Sequence, residues 1–254
     1  WLVVAAGAAV GLLGGMIGLG GAEFRLPLLI GLFGFIALQA VILNKAMSLM
    51  VVLTALPARL AAVPLSTLAP QWPVVVNLLA GTLVGAWAGA SWAVRMRSST
   101  LYRVLAGMLV LIAVALSASH AGIVQPLDLP TAARVPAGVV AGLFIGVVAA
   151  VMGVAGGELL IPTLVLLYAV DIKTAGSLSL AVSLPTMLVA FARYSRDNSF
   201  AVLGHNKGFL TAMTLGSISG TILGGLALVF VSSIILIPLL VLLLAFSSIK
   251  VWHH

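Results

Sequence analysis

Hydrophobic residues in this chain neither alternate nor fall into one-sided stripes. They run on, and several stretches of 16 or more residues hold no ionisable group. A helix needs about 20 such residues to cross the hydrocarbon layer of a bilayer. Alternating ten-residue strands, which a membrane barrel would need, are missing. The pattern predicts an all-α, polytopic membrane protein of about ten segments: Trp1–Ile17, Phe24–Ile36, Gln39–Ala62, Pro73–Val94, Leu101–Ala118, Val135–Val154, Leu159–Val170, Thr174–Phe191, Phe209–Phe230 and Ile234–Val251. Most are apolar all round, as helices buried in lipid and in one another are.

The polar cluster "SHAGIVQPLDLPTAAR", with Asp128, Arg134 and two prolines, interrupts the runs between the fifth and sixth segments. It divides the chain into a first repeat (1–119), a linker (120–134) and a second repeat (135–254). The halves are related by sequence. "GLGGAEFRLP" at Gly18 returns as "GVAGGELLIP" at Gly153, an offset of 135 that also pairs Leu29 with Leu164, Ala40 with Ala175, Leu43 with Leu178 and Ser48 with Ser183. "GTLVGAWA" at Gly81 and "GTILGGLA" at Gly220 match at 139, which implies four extra residues in the second half. Five crossings per half force the halves into opposite orientations, an inverted repeat with broken or short helices.

Charge changes the picture in two ways. The chain carries 12 Lys+Arg against 5 Asp+Glu. That excess either marks cytoplasmic loops or attracts an anion. Arg95, Arg97 and Arg103 flag the loop after the fourth segment as cytoplasmic, and Arg193, Arg196, His205 and Lys207 flag the loop after the eighth. Four crossings separate these loops, whereas re-entrant second and seventh segments would leave three. Ten crossings also put both termini in the cytoplasm, and set the first Gly-Glu motif toward the outside and the second toward the inside. Cysteine is absent, which excludes disulfides and thiol chemistry. Trp1 in place of Met suggests a trimmed start, and His253 and His254 resemble a purification tag. No basic soluble domain offers itself to nucleic acid.

Candidate chemistry gathers where the second and seventh segments begin. Each is only about 12 residues, roughly 18 Å of helix against a hydrocarbon core of about 30 Å, so each continues as broken chain. Gly21 and Gly156 permit irregular backbone, and Pro27 and Pro162 suit an early helical position. The free N–H groups of a helix start receive anions, and irregular backbone at membrane depth survives only when buried in protein or lining a cavity. Glu23 and Glu158 are either capping carboxylates of tight turns or carriers of a coupling proton, because a carboxyl at membrane depth is costly to ionise. Asn44 and Ser48 share a helix face, as do their equivalents Ser179 and Ser183; the two pairs either converge on one anion, or the serines serve as inter-helix glue or bond back to the preceding turn. Lys45 faces Leu180 across the repeat and Arg25 faces Leu160, so two extra cations belong to the first half. Lys45 either meets the anion or snorkels, and Arg25 either meets it, pairs with Glu23 or reaches headgroups. Arg59 and Arg193 are expected to snorkel. The Gly-Thr-x-x-Gly helices read as close-packing surfaces. HExxH, GxSxG and P-loop motifs are absent, so no enzyme, cofactor or metal is expected.

The doubled Gly-x-Gly/Ala-Gly-x-Glu-x-x-x-Pro motif, each copy followed by an Asn/Ser-x-x-x-Ser helix and a Gly-Thr-x-x-Gly helix, resembles the TauE/SafE sulfite exporter family over nearly the whole chain. The resemblance implies a secondary transporter of a small sulfur-containing oxyanion, sulfite or a short organosulfonate, in the cytoplasmic membrane, working by alternating access with proton coupling. Its expected partners are that anion, the bilayer and further copies in a homo-oligomer. The competing classes are an intramembrane enzyme acting on lipid headgroups, which lacks a nucleophile and base here, and a non-transporting assembly subunit, which would have no use for the repeated polar pairs.

Overall fold

The computed structural model describes residues 1–17, 21–62, 65–120, 129–227, 248, 249 and 251. The described chain is helical: α1 (Leu2–Ile17), α2 (Ala22–Gly31), α3 (Ala37–Ala62), the single turn α4 (Leu65–Leu68), α5 (Trp72–Arg95), α6 (Ser98–His120), α7 (Thr131–Met152), α8 (Gly157–Tyr168), α9 (Ile172–Tyr194), the single turn α10 (Val202–His205) and α11 (Lys207–Ala227). Within them, Ala37–Thr54, Ala69–Arg95, Ala132–Met152 and Thr174–Tyr194 are long and apolar enough to cross a membrane. Nine of the ten expected segments coincide with a described helix. The tenth lies almost wholly outside the described residues, as do Gly18, Asp128, Lys250, His253, His254 and the side chain of Arg59.

Two seams hold the helices together, and glycine makes both. On α5, a methyl at Gly81, Gly85 or Gly89 would run into the backbone of Val139, Leu143 or Val147 on α7. On α11, Gly216, Gly220 and Gly224 meet Val4, Ala8 and Leu12 of α1 in the same way. The opposite faces repeat the pattern: Gly142 and Gly146 press on Leu78 and Thr82, while Gly7 and Gly11 press on Met213 and Ser217. Residue numbers rise together along each seam, so the paired helices run parallel. Bare backbone lets the helix axes approach closely and gain dispersion contacts where burial from water is not available as a driving force.

Every seam contact in one half is answered at an offset of 135 in the other: Gly81 by Gly216, Val139 by Val4, Gly142 by Gly7, Thr82 by Ser217. The 139 offset inferred from "GTLVG" and "GTILG" is therefore one helical turn out, and no four-residue insertion exists between the equivalent contacts. A glycine stripe repeats itself every fourth residue, so an alignment can slip a turn and still match Gly81 with Gly220 and Gly85 with Gly224, while Gly89 falls on Leu228.

Where α7 ends, the backbone turns out of the helix. Gly153 caps α7 in the left-handed region (φ 71°), its N–H and that of Val154 returning to Ala150 and Ala149, and Gly156 (φ 87°) caps the start of α8. Gly21 (φ 69°) does the same for α2. Only glycine enters this region without a steric cost. Pro27 and Pro162 sit one turn deeper than an N-terminal proline would, each as the sixth residue of its helix. Lacking an N–H, they give no helical bond to the carbonyls of Glu23 and Glu158, four residues back.

Candidate functional site

Six side chains from α2, α3 and α8 meet at the two breaks, and the interior hides them. Arg25, Asn44 and Lys45 are fully buried, Glu23 is 1 % exposed, Ser48 3 % and Glu158 6 %. Asn44 ties the breaks together. Its Nδ2 donates to the carbonyl of Ala22, at the start of α2, at 2.9 Å and to that of Met152, at the end of α7, at 3.1 Å. Both starts thus lie at one level, and the carboxyls of Glu23 and Glu158 are within interacting range of each other. The two motifs, expected to face opposite compartments, meet inside the protein. Both helices start midway through the protein, where the first turns of the two short helices converge.

The end of α7 draws donors from other elements. Lys45 Nζ donates to Ala149 O (2.8 Å) and Val154 O (2.6 Å), Ser48 Oγ to Gly153 O (3.4 Å), and the hydroxyl of Tyr194 on α9 to Ala150 O (3.0 Å). The last carbonyls of a helix have no helical partner, and a cation there also meets the negative end of the dipole. Lys45 consequently does not snorkel; it caps the broken helix of the other half. Tyr194, which sequence reasoning missed, does the same work from α9. Its only signal was a tyrosine near the end of an otherwise apolar segment.

Charges in the centre balance. Arg25 lies within electrostatic reach of Glu23, and Lys45 within reach of Glu158. The expected excess of cations is thus offset by a carboxylate beside each, as the cost of burying a charge demands. Arg25 is buried and does not reach headgroups. Neither oxygen of Glu158, nor Oε2 of Glu23, has a hydrogen-bond partner.

The equivalents on α9 behave differently. Ser179 Oγ bonds back to Gly176 O of its own helix at 2.9 Å, the local bond common for serine in membrane helices. Ser183 Oγ is buried without a partner. The two polar segments still come together, since Leu49 and Val52 of α3 pack with Leu180, Leu184 and Met187 of α9 and with Ala155. Farther along, Thr186 donates to Thr82 (2.9 Å), linking α9 to α5, and Arg193 Nε donates to Ser91 Oγ (2.7 Å). Arg193 is held there and does not snorkel freely; Arg196 lies over the ring of Trp87 at 5.1 Å. Among the described residues no group of His, Cys, Asp or Glu is placed to hold a metal ion.

Long apolar helices around buried charges of both signs and two broken helix starts define a multi-pass membrane protein with a polar centre. The chain belongs to the sulfite exporter TauE/SafE family, whose pattern matches residues 3–251. No curated protein and no solved structure matches it. Membership makes it a membrane transporter.

Proposed function

We propose that the protein is a secondary transporter of a small sulfur oxyanion, sulfite or a short organosulfonate, across the cytoplasmic membrane by alternating access. The observation that carries this reading is the convergence of two helix starts, at Gly21 and Gly156, on one buried level flanked by Arg25 and Lys45. Helix starts present N–H donors and a positive dipole end, and an oxyanion mainly accepts. Ser183 adds an unspent hydroxyl, with Ser179 beside it on the same face. Asn44, Lys45 and Ser48 position the broken chain through its carbonyls, and meet the anion by exchanging those bonds. Glu23 and Glu158 are the proton-coupling groups.

The inverted two-repeat layout, with ten crossings and both termini cytoplasmic, belongs to the same proposal. Supporting it, α5 and α9 run parallel, since Thr82 meets Thr186 and Ser91 meets Arg193. Shortly after α9 ends, Phe209 packs edge-on against Phe33 and Phe35, just before α3 begins. The repeat-equivalent helices α3 and α9 thus run in opposite directions, as inversion requires. Without inversion, single-cysteine reporters at Arg97 and Arg196 would label from opposite faces; the proposal expects one face.

Proteoliposome flux tests the function. Labelled sulfite and methanesulfonate should enter protein-bearing vesicles and be accelerated by an inward proton gradient. Rates equal to those of protein-free vesicles would refute transport of this class.

A further inference from the structure

At both breaks the place where an anion would be welcomed is already taken. Glu23 and Glu158 are the second residues of α2 and α8, so their carboxyls stand at the helix starts they belong to. The carboxyl of Glu158 lies at the amides of Gly156 and Glu158, yet neither of its buried oxygens closes a well-formed hydrogen bond. Glu23 Oε2 is unpartnered as well. A settled N-terminal cap would spend its oxygens on the free N–H groups of the first turn. These do not, and they come from opposite halves of the repeat to the same point.

Their surroundings narrow what the pair can do. Among the described residues, the charged and titratable groups facing it are Arg25 of α2, Lys45 of α3 and, through the carbonyl of Ala150, the hydroxyl of Tyr194 on α9; the end of α7 contributes main-chain carbonyls. With all four ionised, two cations and two carboxylates cancel. An added monoanion would leave the dry centre with one uncompensated negative charge, a prohibitive burial. One proton on the carboxyl pair restores the balance.

We propose that the Glu23–Glu158 pair is a tethered stand-in for the substrate: it fills the converging starts of α2 and α8 when no substrate is present, and a sulfur oxyanion takes that point as the pair gains one proton from water and withdraws. This rests on the transport reading above and adds its stoichiometry, one proton with each monoanion, and its order, carboxyl out as anion comes in. Neither glutamate acts alone. Because the two carboxyls form one unit, replacing either by glutamine supplies permanently the neutral form that substrate otherwise has to wait for.

The test is anion binding to the purified full-length protein, by calorimetry in buffers of different ionisation enthalpy, with methanesulfonate as the probe because it stays an anion throughout. Wild type should take up about one proton per anion bound, and its affinity should fall by about tenfold for each unit of pH rise wherever the free pair is ionised. Glu23→Gln and Glu158→Gln should each bind with no proton uptake and with affinity independent of pH, and the double variant should add nothing to either. Methanesulfonate binding by wild type with no proton uptake overturns the stand-in while leaving the transport reading intact. A different result separates the two: if wild type binds neither sulfite nor methanesulfonate, but the glutamine variants gain affinity for nitrate, the stand-in survives and the substrate class falls. Failure of every variant and wild type to bind any of the three anions overturns both. The wild-type proton count needs no substitution, so a variant that does not fold leaves the proposal exposed to refutation.

Discussion

Gly85 pressed on Leu143 is answered by Gly220 pressed on Ala8, and so on down both seams, whereas at the centre Lys45 is answered by Leu180, Asn44 by Ser179 and Arg25 by Leu160. The seams keep the repeat contact for contact; the centre keeps its glutamates, glycines and prolines and the Ser48–Ser183 match, but not its cations. Close approach of two backbones depends on the absence of a side chain, and both halves meet that condition alike. Recognition of one small anion by a centre shared between the halves needs each charge once. A symmetric frame with an asymmetric interior follows from those two demands.

The frame should be the harder part to alter. Gly85→Leu or Gly220→Leu places a branched side chain against a backbone carbonyl, and we expect neither to yield folded protein on size-exclusion chromatography. Gly85→Ala should cost roughly 1–3 kcal/mol, whereas Gly107→Ala, where a methyl meets nothing within 4 Å, should be neutral or stabilising by about 1 kcal/mol. Equal effects at Gly85 and Gly107 would show that the seam is not tightly packed.

Removing the asymmetry at the centre should cost somewhat less and should also stop transport. Lys45→Leu, which copies Leu180, removes one donor each from Ala149 O and Val154 O and takes away the cation near Glu158. Thermal unfolding should report a loss of roughly 3 kcal/mol. Leu180→Met, the counterpart change, should cost less than about 1.5 kcal/mol.

Asn44 and Ser179 occupy equivalent positions with unequal bonds, so they should separate next. Asn44→Ala removes two bonds that join the breaks, worth together roughly 2 kcal/mol, while Ser179→Ala removes a bond within one turn and should fall within about 0.5 kcal/mol of the parent. Smallest of all should be the difference between Thr82→Val and Ser217→Ala. Thr82 has Thr186 as its partner, while the buried hydroxyl of Ser217 has none. Thr82→Val should cost about 1 kcal/mol and Ser217→Ala close to nothing, or a slight gain.

Much of this was legible beforehand. Segment lengths follow from apolar runs, and the helix start at Gly21 and the break at Gly153–Gly156 follow from glycine beside a lone glutamate. Asn44, Lys45 and Ser48 declared themselves by being polar where polarity is expensive. Their partners did not, because the acceptors are main-chain carbonyls 104 to 109 residues away from Ser48 and Lys45, and a carbonyl has no letter in the sequence. Tyr194 was hidden for the same reason. The meeting of Glu23 with Glu158 could not be read from the repeat, since the same offset is compatible with two separate half-sites. The slip of one turn along the glycine stripe is a third case: periodicity gives the face of a helix but not its register.

The most direct measurement of the central claim uses vesicles holding wild-type protein and an entrapped pH dye, with an inward methanesulfonate gradient and no initial pH difference. Methanesulfonate is a strong acid and brings no proton of its own. If a sulfur oxyanion is carried through a centre that must gain a proton to admit it, the lumen acidifies as labelled anion enters, and with Glu158→Gln anion entry and acidification come apart. Methanesulfonate entering wild-type vesicles no faster than protein-free ones, with sulfite equally excluded, would contradict the account.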